Sequence, residues 1–499
     1  MICSTGPRVS LCMIVRNEMA NLPACLEEMR YLVDEIVVVD TGSTDRTVEV
    51  AESLGAKVFV FPWTNDFSAA RNESMRHATG DYILWLDADD RLTPAELSKL
   101  DTLLRSLDGS RRAYMLTTYS TPALGRAPVI DRHPRLFRNV PGVSWRYRVH
   151  EQIIGSLNEL SFEVVDADVT IVHEGYSDPV LAREKARRNI RLSRLDYALD
   201  PEDPAVLFHL GRECASLGQF GEAYGYLTKT LKVAPPYVCW LPKLYRSIVA
   251  CLTSLGKIQE AFAVADEALT RFDLADIELA ILHGELSLRL GHANSALAHL
   301  QRVLDHLDHL AASGPQAVAY RGLVRRMVGG LHLGQRRYPE AEKMLKTHLA
   351  EQPNDSEAGF LLCYTLFALE RWSEFDAMLE RVRSIAGSEP IFYCAEALKL
   401  HALGQGREAC RRVEEACRVA PSLLLSRTLL ADLRLTWGGS LDECREAMAG
   451  VLAICPEHLA ARRELERLEQ RQRTGEDASA IENRWSSRVT VAAQWQNDS

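Results

Sequence analysis

The chain has 499 residues, room for two to four domains, and its 47% hydrophobic and 25% charged residues are the profile of a soluble folded protein. Lys+Arg number 58 and Asp+Glu 68, a formal net charge of −10 that argues against a general polyanion binder, so nucleic acid is not an expected partner. No apolar run approaches the roughly 18–20 residues of a membrane span. MICSTGPRVS lacks the apolar core of a secretion signal, and the 12 cysteines are scattered without a CxxC pair, so a reduced, cytoplasmic protein is expected.

The first part alternates short β-rich runs with helical stretches. VSLCMIV (9–15) is a continuous apolar run, as expected of a strand buried on both faces. A helix follows near 21–32, and EIVVV (35–39) is the second strand. STDRTVEVAESLG (43–55) reads as a capped helix closed by Gly55. KVFVF (57–61), SAARNESMRHATG (68–80) and YILWL (82–86) read as strand, helix and strand. This alternation predicts βαβ units and a mostly parallel sheet of Rossmann-like α/β type.

After about residue 180 the strand signals stop, and a helical pattern recurs with the period near 34 residues of a tetratricopeptide repeat. Gly211, Gly218, Ala223 and Pro235 mark the first unit, and Gly256 and Ala261 a second. Gly284, Gly291 and Ala296 mark a third, and Gly329, Ala341 and Pro353 a fourth. A weak fifth lies around Trp372, a sixth at Gly404, Ala409 and Pro421, and a seventh at Gly439 and Pro456. The small residues let the two helices of a hairpin approach closely. Three segments are expected: an α/β domain over 1–180, an all-α repeat array over 181–470, and a loosely ordered tail over 471–499.

Ligands of an open parallel sheet bind beyond the carboxyl ends of its strands. Each predicted strand is followed there by polar residues: Arg16-Asn17-Glu18, Asp40-Thr41-Gly42-Ser43-Thr44-Asp45, Pro62-Trp63-Thr64-Asn65-Asp66 and Asp87-Ala88-Asp89-Asp90. Four such sets outline one cleft. Three carboxylates directly after YILWL repel one another, and a bound cation would offset the repulsion. Asp90 is read either as a further contributor or as the cap of a helix beginning near Thr93. Ser43 or Asp45 is read as a cap of the helix that follows the second strand.

VSLCMIVRNE, EIVVVDTGSTDRT, FSAARNESMRHATGDYILWLDADD and RVHE resemble the family 2 glycosyltransferases of GT-A fold, in particular bacterial members with C-terminal tetratricopeptide repeats. The resemblance implies an inverting transferase that takes sugar from a nucleotide-diphosphate donor, a UDP-sugar by preference. It implies a DxD motif in which Asp89, with Asp87, holds Mg²⁺ or Mn²⁺ against the diphosphate. Asp40 would accept from the pyrimidine base, and Arg71, Asp87 and Glu18 would line the donor site. Glu151 in WRYRVHEQI (145–153) would be the general base, with His150 beside it at the diphosphate or metal. The other reading of RVHEQI is an edge strand with exposed polar groups. The repeats would offer a concave surface for a peptide or protein acceptor. Two alternatives stand: transfer to a saccharide or lipid-linked glycan in cell-surface polysaccharide synthesis, and an inactive repeat scaffold. A nucleotidyltransferase ranks below both, because VRNE lacks the glycine-rich loop that wraps a triphosphate.

Overall fold

The computed structural model describes residues 6–120, 129–173, 179–236, 238, 240–309, 315–387, 389–437, 439–456 and 458–474; most of the expected loosely ordered tail lies outside them. Two compact units divide between Val238 and Cys239. The first opens with β1 (Val9–Val15), α1 (Leu22–Met29), β2 (Glu35–Asp40), α2 (Thr47–Ser53), β3 (Lys57–Val60), α3 (Phe67–His77) and β4 (Tyr82–Trp85). It continues through β5 (Asp90–Arg91), α4 (Pro94–Arg105), β6 (Arg112–Ser120), β7 (Val129–Arg138), α5 (Ile154–Glu159) and β8 (Glu163–His173).

These strands form one eight-stranded sheet in the order β3-β2-β1-β4-β7-β6-β8-β5. β1 pairs in parallel with β2 and β4, and β2 with β3, so the first four strands all end on one edge. β7 returns antiparallel between β4 and β6, β8 lies parallel to β6, and β5 closes antiparallel on β8. The result is a mixed sheet with a parallel half, the GT-A-like arrangement. Alternate residues serve opposite cores, as the two-residue period of a strand requires. Leu11, Met13, Val38 and Leu84 pack with Leu22 and Leu26 of α1. Cys12, Val37, Ile83 and Trp85 pack with Trp145, Ile153 and Leu157.

Local chemistry shortens one predicted helix. Asp45 accepts from the Thr47 amide at 3.0 Å and from the Thr47 hydroxyl. That turn keeps 43–46 out of the helix, so α2 starts at Thr47. The edge-strand reading of RVHEQI is also corrected. Residues 147–151 form a loop, closed by a single pair of bonds between Arg146 and Gln152 at 3.0 Å each.

Glu35 anchors the opposite edge of the sheet. Its carboxylate accepts from Ser10 Oγ at 2.5 Å, Lys57 Nζ at 2.8 Å and the Thr79 amide at 2.5 Å, joining β1, β2, β3 and the entry to β4. Gly80 must be glycine here: a Cβ would lie 2.6 Å from Ser10 Oγ and 2.7 Å from Ser10 N.

α6 (Pro179–Leu199), α7 (Pro204–Ser216) and α8 (Phe220–Val233) complete the first unit. The second unit pairs α9 (Leu241–Ser254) with α10 (Ile258–Phe272), α11 (Ile277–Arg289) with α12 (Ala293–His309), and α13 (Pro315–Gly334) with α14 (Tyr338–Glu351). It goes on to pair α15 (Ser356–Ala368) with α16 (Trp372–Ala386), α17 (Pro390–Ala402) with α18 (Gly406–Val419), and α19 (Leu424–Thr436) with α20 (Leu441–Ile454), and ends at α21 (Leu459–Thr474). With α7 and α8, the described residues form seven such hairpins.

The small residues do the expected packing work. A Cβ on Gly211 would lie 2.6 Å from Leu227, on Gly284 2.6 Å from Leu300, and on Gly329 2.9 Å from Leu345. The second hairpin puts Val249 and Ala265 at the corresponding places, both fully buried, with the sizes exchanged. The weak fifth signal has a similar cause: Cys363 and Phe375 stand where other units have glycine and alanine, and Gly359 gives the close approach instead, to Val382 at 2.8 Å.

Glu35 gives the fold a testable acid sensitivity. Burial works against its charge, but donations from Lys57, Ser10 and Thr79 outweigh burial and bring its pKa down to about 2. A depressed folded pKa adds stability above the unfolded value of ~4.3, and that stability is lost as pH falls toward about 2. Glu35→Gln is expected to cost ~1.5–3 kcal/mol at neutral pH, the range for hydrogen bonds to charged groups. Its thermal midpoint should also fall less steeply than the parent's between pH ~4.5 and ~2.5; parallel curves would refute the assignment.

Candidate active site

Parallel pairing brings the ends of β1, β2, β3 and β4 to one edge, and the polar residues that follow them form its loops. Asn17 Oδ1 accepts from the Thr44 amide at 2.7 Å, tying the first loop to the second. Asn17 and Asn65 take left-handed backbone angles, φ 58° and 60°, which asparagine tolerates better than most residues.

The centre is a three-part ion pair. Arg71 on α3 donates from one terminal nitrogen to Asp87 at 2.8 Å and from Nε to Glu151 at 2.7 Å. Its guanidinium lies 4.4 Å from the Trp85 ring centre and 5.2 Å from that of Trp145. Arg71 is thus buried rather than a solvated helix arginine. Burial opposes its charge, yet Asp87 and Glu151 outweigh burial and push its pKa further up. Burial likewise opposes the charge of Asp87, but Arg71 and Arg135 hold that carboxyl well below the usual range.

Asp90 does not cap the next helix. Thr93 does, accepting from the Glu96 amide, and Asp90 is fully buried. One Asp90 oxygen accepts from Arg135 at 2.8 Å and from the Asp87 amide at 2.8 Å, while the other faces His173 Nδ1 at 3.0 Å. Asp90 therefore shapes the turn that presents Asp87 and Asp89.

Asp89 stands apart. Burial, with Asp87 and Asp90 close by, raises its pKa, against the opposing effect of His173, 3.4 Å from a carboxylate oxygen, and of a hydrogen bond from its own backbone. Burial also raises Glu18, and the charge of Asp89 adds to it. Burial would lower His173, but its bond to Asp90 and the charges of Asp89 and Asp90 raise it. Oxygens of Asp87 and Asp90 and a ring nitrogen of His173 all lie within 4.8 Å of one another. The carboxylate oxygens suit Mg²⁺ or Mn²⁺, while an imidazole nitrogen suits a transition metal better than Mg²⁺. The carboxylates of Asp87, Asp89, Asp90 and Glu151 are met by two guanidiniums, Arg71 and Arg135, so the charge surplus also fits a divalent cation.

Of the residues singled out in the sequence, Arg71, Asp87 and Glu151 touch directly, and Asp89 and Glu18 stand close by. Asp40 accepts from the Gly42 amide at 3.0 Å and the Ser43 amide at 3.1 Å, at the floor of its own loop. His150 faces α7, with Nε2 2.9 Å from Glu213. His173 and Arg135 are additions. Their signals were a histidine ending the apolar run VTIV and a buried arginine inside RHPRLFR; neither motif is specific alone.

A mixed sheet of this order with a carboxylate cluster beyond its parallel half, followed in the chain by helical hairpins, defines a GT-A-type domain joined to tetratricopeptide-like repeats. Residues 10–115 match the family described as Glycosyl transferase family 2, and the chain resembles its members with C-terminal repeats. It is 36% identical over 236 residues to a TPR repeat-containing protein of Synechococcus elongatus, covering 46% of this chain and 58% of that one. It is 30% identical over 231 residues to the SPbeta prophage-derived glycosyltransferase SunS of Bacillus subtilis, covering 46% and 54%. The chain spans little more than half the length of these relatives. A tetratricopeptide repeat protein of Parabacteroides merdae superposes with a TM-score of 0.43 at 15% identity, over 53% of this chain and 98% of that one. No described helix is long and apolar enough to cross a membrane.

The division between Asp90 and Asp89 can be measured. Asp90→Ala leaves buried Arg135 with only the more distant Asp87 carboxylate, 3.8 Å away, and is expected to destabilise the fold by ~3–5 kcal/mol. Asp89→Asn should leave stability within ~0.5 kcal/mol. Denaturant unfolding of both variants is the check, and equal losses would erase the distinction.

Proposed function

We propose that the chain is an inverting, metal-dependent glycosyltransferase that takes sugar from a nucleotide-diphosphate donor, by preference a UDP-sugar, and works in the cytoplasm. The observation that carries this reading is the Asp87–Arg71–Glu151 ion pair: one arginine joins a carboxylate of the LDADD motif to the carboxylate of RVHE. The transferase domain is assigned to residues 1–180 and the repeats to 181–470. Asp89 and Asp87, with His173, are assigned to hold Mg²⁺ or Mn²⁺; Asp90 is left out because its oxygens are already engaged. The ion, when bound, stabilises negative charge on the departing diphosphate. Asp40 and Glu18 are assigned to the donor, and His150 is kept as a companion of Glu151 rather than a ligand.

Inversion by single displacement needs one carboxylate on the acceptor side to take the acceptor's proton. Glu151 has one oxygen fixed by Arg71 Nε at 2.7 Å, which leaves the other for that proton. The acceptor is assigned as a peptide or protein side chain held by the repeats; the competing assignment is a saccharide or lipid-linked glycan.

Asp89→Asn should remove most Mn²⁺-dependent binding of UDP-sugar, read by calorimetry with and without EDTA; parent-like binding would refute the metal assignment. For Glu151→Gln, transfer should slow by ~10²–10⁴-fold while donor Kd changes less than about threefold. Unchanged transfer to a hydroxyl acceptor would sink the base assignment, and an equal loss of donor affinity would move Glu151 to the donor site.

A further inference from the structure

Glu151 sits in a loop whose backbone is strained on one side of it. Tyr147 and His150 both take left-handed angles, φ 75° and 55°. For residues with a Cβ this costs ~1–2 kcal/mol each. Such angles persist only where the surroundings over-determine them.

The surroundings come from two sources. α3 supplies Ser68, which donates to the Tyr147 carbonyl, and the Phe67 amide, which donates to the Arg148 carbonyl at 2.8 Å. The other holders lie beyond residue 190. Asp196 on α6 accepts from the Arg148 amide at 2.8 Å, and Asp203, which caps α7, accepts from the Tyr147 hydroxyl at 3.1 Å. On α7, a Glu213 carboxylate oxygen lies 2.9 Å from His150 Nε2, a close charge contact without hydrogen-bond alignment, and the His209 ring stacks on the His150 ring with centroids 4.1 Å apart and planes 9° off parallel. His209 and Glu213 are four residues apart, so they share a helix face. Glu213 is itself oriented by Asn189 Nδ2 of α6, at 2.9 Å.

We propose that Glu213 and His209 are positioning residues for Glu151: gripping the His150 ring, they fix the strained peptide from which Glu151 projects. The helices that open the repeat region are then part of the catalytic apparatus, even though the groups assigned to donor and acceptor chemistry lie elsewhere. This rests on the assignment of Glu151 as base. Without the grip, His150 relaxes toward ordinary backbone angles, and the Arg71 bond alone steers the Glu151 carboxylate. A displacement of about 1 Å at a reacting group can cost ~10²-fold in rate.

The test uses the full chain and three variants: Glu213→Ala, Glu213→Gln, which keeps an acceptor for His150, and His209→Ala. Hydrolysis of UDP-glucose and UDP-N-acetylglucosamine with Mn²⁺ gives kcat and KM, calorimetry gives donor Kd, and amide hydrogen exchange reads residues 147–152. The expected result is a ~10–100-fold fall in kcat for Glu213→Ala and His209→Ala. KM and donor Kd should stay within about threefold of the parent, exchange in 147–152 should accelerate, and Glu213→Gln should recover most of the rate. A purely structural role would lower thermal stability and leave kcat of the folded fraction unchanged, and that result would overturn the proposal. If the parent hydrolyses neither donor, the proposed function fails on its own. Exchange then decides alone: acceleration in both alanine variants upholds the positioning, and parent-like exchange overturns it.

Discussion

Everything at the strand edge depends on how a buried guanidinium is compensated. Arg71 is enclosed by Trp85 and Trp145, where an unpaired charge would cost several kcal/mol. Two carboxylates remove that cost, and they come from places far apart in the chain, the end of β4 and the loop before α5. The pairing therefore works as a constraint on the fold. It fixes where α3 must lie against β4 and where the 145–153 loop must close. Arg135 repeats the device one strand over, stacking 3.7 Å above Trp85 and neutralising Asp90. Asp87 and Asp90 are both answered by arginines, whereas Asp89 is met by His173 at 3.4 Å and Glu18 accepts from Asn21 at 2.7 Å.

The parallel half of the sheet was legible because its strands are continuous apolar runs and its loops carry their own turn chemistry. VSLCMIV and EIVVV cannot be anything but buried strands, and DTGSTD and LDADD could be read as turns bearing carboxylates. The antiparallel half was not legible. β7 reads VIDRHPRLFR, with charge at four of its ten positions and a proline inside it, and it becomes a strand only because β4 and β6 flank it. Arg135 and His173 stayed hidden for that reason. The orientation of His150 was hidden for another: it is set by a helix sixty residues away, through contacts no local pattern encodes.

In the helical region the repeat could be counted because turns and close approaches punish the wrong residue wherever they fall. Gly218, Gly256, Gly291 and Gly404 take φ between 74° and 82° at the turn inside their hairpins. Arg336 and Glu370 occupy the same place at 59° and 56°, which is why the fourth and fifth units read faintly at that column. The fold tolerates the strain because the flanking helices bury their apolar faces regardless.

The exchanged pair Val249 and Ala265 bears on how such an array can be rebuilt. What stays nearly constant over the first four units is the combined bulk of two facing side chains, not the identity of either. The two helices of a hairpin are therefore a matched set. Joining α9 to α12 would set Val249 against Leu300, two large groups in a space sized for one. Joining α11 to α10 would set Gly284 against Ala265 and leave a void. Recombination within this chain can move whole hairpins freely, but a crossover inside a hairpin must respect a size code that differs at the second unit.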